Sequence, residues 1–481
     1  MRQTLRRSCA ACARSKHSCD LHTPRCSRCV KRKVQCVYAN EPWTAAGWRE
    51  GGGSVRLPDG SGTLAGYRFG SPDPFDSYPQ TRLPREQVQR LIHSFLHKIA
   101  FQYYPLDLSA TSNPFLVSWW PLALGDPALF NVSLQTACLD EELLAQKGFR
   151  SSELLMADSV ALLRRKIEDT TLAVQDGTMN SVITLAAIES LMFRDAQFGK
   201  GNTRVAKMHV DGVKRLVKVR GGINSVRQTS PLTARMVSWV SMLVMCHPQF
   251  ETQDDVGIGD GIPPIPEWQL SSTGLRDVLS ELGTFDVDCE VRNVFIRLRN
   301  VFQRAQRVPF PSTRLHDLTC FVVHRLLLSA SDTVDTPPSS MTECVRYAII
   351  LYMFIIHGPT YYSHEVILNK IVNRYIASLK QLETTPRVND LLDVWLLAIG
   401  MVASSGTTHY QWFVERAQAR AASLQLDNWH DALPRIKSVL WLETPQSANI
   451  FRPHWEAILS TAKQLRSPDL TVCVSPSSDG I

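Results

Sequence analysis

Six cysteines fall within the segment CAACARSKHSCDLHTPRCSRCVKRKVQC, residues 9 to 36, and their spacing is regular: Cys9-x2-Cys12-x6-Cys19, then Cys26-x2-Cys29-x6-Cys36. The pattern C-x2-C-x6-C is written twice, and a repeat implies two similar half-sites. A C-x2-C pair on the first turn of a short helix aims both sulfurs at one point, and a third cysteine beyond the helix closes around the same ion. Tetrahedral Zn2+ takes four ligands, so two ions need eight, and six thiolates supply eight when two of them bridge. Cys9 and Cys26, the first cysteine of each half, are the natural bridges. Sulfur then fills every coordination position, so the expected centre, two Zn2+ per chain, is structural rather than catalytic. A three-disulfide framework competes with this reading, but the N-terminal MRQTLRRSC has no apolar core of a secretory signal, so reduced thiols are expected. The other competitor, a four-cysteine zinc ribbon with two bystanders, leaves the repeat unexplained.

The charge is as unevenly placed as the thiols. Residues 1 to 38 carry ten Lys and Arg against one acid, Asp20, whereas the remaining residues carry 42 basic and 44 acidic side chains. The net charge of +7 therefore belongs to the cysteine-rich end. A basic module on a nearly neutral body suggests a polyanionic partner.

These residues resemble the zinc binuclear cluster, Zn2Cys6, of fungal transcription factors, and all six cysteines match. The resemblance implies that the helix between the second and third cysteines docks its end in the DNA major groove. It also implies that a lysine there reads a CGG-type triplet; the corresponding residue is Lys16. Pro24 matches a proline of the family's connecting loop. In this chain Ala13, Ser15 and Ser18 stand where the family commonly has Lys or Arg. The side chains agree independently with the assignment of Lys16. A lysine ammonium donates to the O6 and N7 acceptors of guanine, which the small side chains around it cannot do. Arg14 and His17 flank it as secondary base contacts. Arg6, Arg7, Arg25, Arg28, Lys31, Arg32 and Lys33 are expected to neutralise phosphates, which fixes register without reading sequence.

Positioning such a module takes little chain, so 1–39 is read as the Zn2Cys6 DNA-binding domain. From Asn40 to Leu83 the composition changes to eight Gly and five Pro with no heptad pattern, a flexible linker (40–83) rather than a dimerising coiled coil. From Pro84 the periodicity is helical: Val88, Leu91, Ile92, Phe95, Leu96 and Ile99 form one apolar stripe. Similar segments near 152–168, 178–194, 204–220, 232–246, 290–307, 314–331, 341–357, 365–382, 388–404, 409–423 and 452–465 predict an all-α domain over 84–465. A loop is expected near 251–272, where GIGDGIPPIP stands, and a polar tail over 466–481.

The stretches HVDGVKRLVKVRGG (His209 to Gly222), ECVRYAIILY (Glu343 to Tyr352) and WLLAIGMVAS (Trp395 to Ser404) are similar to the fungal-specific transcription factor domain, which often accompanies the zinc cluster. In the first, Gly221-Gly222 is expected to cap a helix that ends at Arg220, and His209 is expected to pack or cap rather than to bind a ligand. The most apolar run, Tyr347 to Ile356, is about half the length that a bilayer span needs, so a buried core helix is expected and no membrane partner. The single cysteines Cys138, Cys246, Cys289, Cys320, Cys344 and Cys473 are expected to be buried structural thiols. The chain has no G-x-S-x-G, H-E-x-x-H or Walker A sequence, and no enzyme is expected.

The expected fold is thus a small Zn2Cys6 module plus a large all-α helical domain. The expected protein is a nuclear, sequence-specific regulator of RNA polymerase II transcription. Its expected partners are double-stranded DNA, the transcription machinery and a second copy joined through the helical domain. A different class remains open, a helical enzyme or small-molecule receptor that carries a zinc-dependent DNA anchor.

Overall fold

The computed structural model describes residues 11–12, 15, 27–34, 78–146, 148–192, 203–269, 287–329, 339–383, 390–444 and 446–466. Contacts divide the chain into two compact units, Met1–Gly62 and Thr63–Ile481. The division falls inside the Gly- and Pro-rich stretch, where little apolar surface is available to bury.

The first unit contributes one short helix, α1 (Ser27–Lys31). The second begins with α2 (Arg85–Ser94), opened at Pro84 and prolonged by a π-turn over Phe95–Ile99. It continues with α3 (Trp120–Gly125), α4 (Pro127–Ala145), α5 (Arg150–Glu168), α6 (Asp176–Met192), α7 (Thr203–Val219), α8 (Ile223–Thr229) and α9 (Pro231–Met245). After a long loop come α10 (Cys289–Arg307), α11 (Ser312–Ser329), α12 (Ser340–His357), α13 (Glu365–Glu383), α14 (Asp390–Ala403), α15 (Tyr410–Ser423), α16 (Trp429–Val439) and α17 (Ser447–Arg466). Among the described residues there is no strand, only an isolated parallel bridge between Thr252 and Ile262. All-α architecture is therefore as the periodicity predicts.

Two helix groups share the core. In the first, α4 packs on α5 and α6, and α6 also takes α7 and α9; in the second, α12 packs on α11, α13 and α14, and α14 also takes α15, α16 and α17. The α9–α11 contact joins the two groups. Helix starts are specified by their caps: the Asp126 carboxylate accepts from Ala128 N and Leu129 N at α4, and Asn428 and Asp431 form a reciprocal capping box at α16. The apolar run at Tyr347 to Ile356 extends into the 18-residue α12, long and apolar enough to cross a bilayer by length and composition, but 72% of it is buried against its neighbours. It is a core helix, with Ile349, Ile350 and Leu351 fully buried.

Of α2 to α17, four are not announced by the periodicity, α3, α4, α8 and α16, nor is the single helical turn Thr170–Ala173. From Ala128 to Leu139 every residue of α4 is buried, including Asn131, Gln135 and Thr136, so no polar face marks the period. In α16 the interior Pro434 masks the signal.

One tight contact fixes how α14 meets α15. A Cβ on Gly400 would lie 2.0 Å from Cε1 of Phe413, itself fully buried. The ring cannot move without opening the core. Gly400→Ala is therefore expected to destabilise the domain by about 1–3 kcal/mol despite its better helix propensity, read as a lower midpoint in thermal or urea unfolding. An unchanged or raised midpoint would show that the ring is not held.

Candidate zinc centre and nucleic-acid interface

Cys12 and Cys29 are the second cysteines of their half-repeats, and both are buried, at 3% and 2% exposure. Around them the backbone repeats itself. Ser15 N donates to Ala11 O at 3.2 Å, and one repeat further on Arg32 N donates to Arg28 O at 3.0 Å. The two halves thus carry the same helical turn after their C-x2-C pairs, as the doubled spacing predicts. In the second half Cys29 lies on the first turn of α1. Its helix is closed by Val34 N donating to Cys29 O at 3.1 Å and Lys33 N to Val30 O at 3.2 Å, with Lys33 in the left-handed region at φ 51°. This is a Schellman closure, which turns the chain sharply just past the helix.

Among the described residues of this unit only Cys12 and Cys29 are buried, while Val30 and Val34 are 54% and 42% exposed. A module this small gains little from hydrophobic burial, and turning its thiols inward while its valines face water suits sulfur that binds metal. The donor set therefore fits Zn2+. Among the described residues no three potential ligands gather; Cys9, Cys19, Cys26 and Cys36 lie outside them.

Arg28, Lys31, Arg32 and Lys33 are all exposed, and among the described residues none of them forms an ion pair. They give the second half-repeat an exposed basic surface, suited to phosphate contacts. Lys16, Arg14 and His17, the expected base contacts, and Arg6, Arg7, Arg25 and Pro24 lie outside the described residues, as do linker residues 40–77 and tail residues 467–481. By the repeat offset, Lys16 occupies the position of Lys33.

Residues 7–43 match the family model of the fungal Zn(2)-Cys(6) binuclear cluster domain, and residues 90–251 match that of the fungal specific transcription factor domain. Both domains are those of a DNA-binding transcription regulator. No curated protein and no solved structure matches the chain. The binuclear cluster domain implies two zinc ions, in agreement with the ligand count.

In the helical domain several charged side chains that line cavities are paired with one another. A surface groove of about 410 Å3 between α13, α14 and α15 is lined by Glu383, Arg416, Asp393, Arg420 and Trp412. Arg416 Nε meets Glu383 Oε1 at 2.5 Å while its guanidinium stacks 3.8 Å above Trp412, and Arg420 pairs with Asp393. Two other cavities, of about 20 Å3 each, border the buried Asp317, whose carboxylate accepts from Arg235 and Arg227, and the buried His316. Neither has room for more than about one water.

Four buried histidines went unnoticed in the sequence because nothing in their spacing marks them. His316 Nδ1 lies 2.9 Å from His357 Nε2, His357 Nδ1 lies 3.2 Å from Gly358 O, and His364 Nε2 lies 2.9 Å from the Thr360 hydroxyl. The Gly358 carbonyl can only accept, so His357 carries its proton on Nδ1 and offers a bare Nε2 to the Nδ1–H of His316. His324 Nδ1 donates to Cys320 O at 2.8 Å. Burial lowers the pKa of all four, to about 4 for His324 and His357 and about 3 for His364. These are neutral core residues.

His209 lies with Nε2 3.6 Å from Oε1 of the buried Glu189, a packed position as expected. Gly221 and Gly222 do close α7, both at positive φ, with Gly222 N donating to Val217 O at 3.0 Å. Arg220 does more than favour the helix end: its guanidinium bridges Asp176 and the hydroxyls of Thr229 and Ser230. Cys138, Cys320 and Cys344 are buried. Cys246 is half-buried and Cys289 is exposed, against expectation: Cys289 opens α10 directly after the capping Asp288, where the first turn faces solvent. Cys473 lies outside the described residues.

Proposed function

We propose that the chain is a nuclear regulator of RNA polymerase II transcription whose N-terminal module reads CGG-like triplets in the major groove. The observation that carries this reading is the pair of equivalent buried cysteines, Cys12 and Cys29, with an exposed basic surface on the second half-repeat. In this reading the six cysteines hold two Zn2+ with Cys9 and Cys26 bridging, and Lys16, aided by Arg14 and His17, contacts bases. Arg6, Arg7, Arg25, Arg28, Lys31, Arg32 and Lys33 contact phosphates. One module spans few bases, and at about 1–3 kcal/mol per base pair it cannot select a site from a genome alone. With no heptads in the linker, a second copy is expected to join through the helical domain, as a homodimer on paired half-sites. The match of residues 90–251 to the fungal specific transcription factor domain supports a regulatory role for that domain.

The test is a pair of substitutions. Lys16→Ala is expected to relax sequence preference by about 1–3 kcal/mol, whereas Lys31→Ala weakens all DNA about equally and lowers the salt slope by about one unit. Binding of cognate and random duplexes across a salt series reads both. If the two variants lose affinity alike with discrimination intact, Lys16 is not the base reader.

A further inference from the structure

Helix α7 presents an outward face that nothing in the chain's described residues covers. Arg204, Lys207, Met208, Arg215, Lys218 and Val219 are exposed. At about 100° per residue they fall within roughly a third of the helix circumference. Met208 and Val219, 62% and 74% exposed, form one edge of this face, and Lys207 and Lys218 form the other. Among the described residues no carboxylate pairs with Arg204, Lys207, Arg215 or Lys218.

Beside it stands the loop over residues 251–262, with the opposite character. Its tip exposes Val256 at 66% and Ile258 at 70%, flanked by the exposed Asp254 and Asp260. The tip is braced: Asp254 Oδ1 accepts from Val256 N at 3.0 Å and Ile258 N at 2.7 Å, and Gln253 Nε2 donates to Gly259 O at 2.8 Å. Gly257 and Gly259 supply the positive φ values, 86° and 120°, that the turn requires. The loop also comes close to the end of α7: a Cβ on Gly222 would lie 2.8 Å from Asp260 Oδ1. Two aliphatic side chains are thus held in water on a rigid support, next to a face of opposite charge.

We propose that this surface is the contact between two copies of the chain, with the acidic, apolar loop tip of each copy lying across the basic, apolar face of α7 of the other. A two-fold contact needs both complementary halves on one surface of one molecule; Lys214 of α7 donates to Gln249 just before the loop, and Asp260 approaches Gly222 just after the helix. The proposal rests on the homodimer reading above and names its surface. DNA is the competing occupant of a basic face. Against it stand Asp211, in the middle of the face, the carboxylates of Asp254 and Asp260 beside it, and the exposed Met208 and Val219, which find nothing to bury against on a phosphate backbone.

The test uses the full zinc-loaded chain, with light scattering for mass, far-UV circular dichroism for fold, and binding to random duplex DNA. Wild type is expected to be dimeric at micromolar concentration. Ile258→Asp and Met208→Glu are each expected to raise the dissociation constant at least tenfold with helicity intact. Asp260→Lys should do the same, and adding Arg215→Asp and Lys218→Asp should restore much of the association. A dimer unaffected by both apolar substitutions would overturn this surface and leave the homodimer reading standing; a monomeric wild type would overturn both. Loss of random-DNA affinity in Lys207→Glu with an unchanged dimer would assign the face to DNA and also overturn the proposal.

Discussion

Chelating zinc from the full chain is expected to abolish its preference for a cognate DNA site and to leave the helical domain folded. The expected loss is large, because specific sites are held about 10^3 to 10^7 times tighter than random DNA and this surplus depends on the zinc module. Among its described residues Cys12 and Cys29 are the buried side chains, with Val30 and Val34 left in water. Cys12→Ser and Cys29→Ser should each reproduce the effect. Competition between cognate and random duplexes with and without chelator measures it, with circular dichroism as the control. Most of the helical signal should persist, since α2 to α17 form a separate unit. Equal discrimination in metal-free protein would show that the fold of the module does not depend on zinc.

The helical domain, by contrast, is expected to unfold as the pH falls from about 6.5 toward 4. His316, His324, His357 and His364 are buried and neutral, with pKa values lowered first of all by burial, and for His316 further by His357, Arg235 and Arg227. The groups that face this cluster are Arg235, Arg227, Asp317 and Tyr104, with the Trp239 ring stacked against His316 and His357. In the unfolded chain each histidine takes up a proton near its ordinary pKa of about 6.5. Between there and the lowered folded values the unfolded state binds more protons, so stability is complete above about pH 6.5 and falls as the pH drops. A buried histidine whose pKa falls to about 4 contributes on the order of 3 kcal/mol to this loss. A few such groups match the whole stability of a typical domain. Urea unfolding followed by tryptophan fluorescence at several pH values should show the decline. His324→Leu, which removes a ring whose Nε2 has no partner, should flatten the slope by about one proton. Stability that stays constant down to pH 4 would show that the histidines reach solvent in the folded domain.

The zinc module was legible because its chemistry is written in spacing. Two C-x2-C-x6-C units fix a ligand count, and the matched turns after Cys12 and Cys29 are what such a repeat dictates. Amphipathic helices such as α7 and α10 were legible because one face meets water and the other the core. Helix α4 was not, since a helix buried on all sides carries no period for the sequence to display. Cys289 was misread because composition gives an average burial, whereas its place after Asp288 at the start of a helix decides its exposure. The histidine cluster was invisible for a different reason: His316, His357 and His364 are joined by tertiary packing of α11, α12 and the turn after α12, not by any local motif. The composition of GIGDGIPPIP predicts a loop, but its braced tip depends on where Gln253 and Asp254 direct their side chains.

The most direct test of the central claim is to select bound sites from a random DNA library with the full chain at fixed salt, zinc-loaded and chelated in parallel. The zinc-loaded chain should enrich sites containing CGG-like triplets, and the chelated chain should enrich nothing above the input. Selection that yields no preferred sequence with zinc present, or the same sequence without it, would contradict the reading of this chain as a zinc-dependent, sequence-specific regulator.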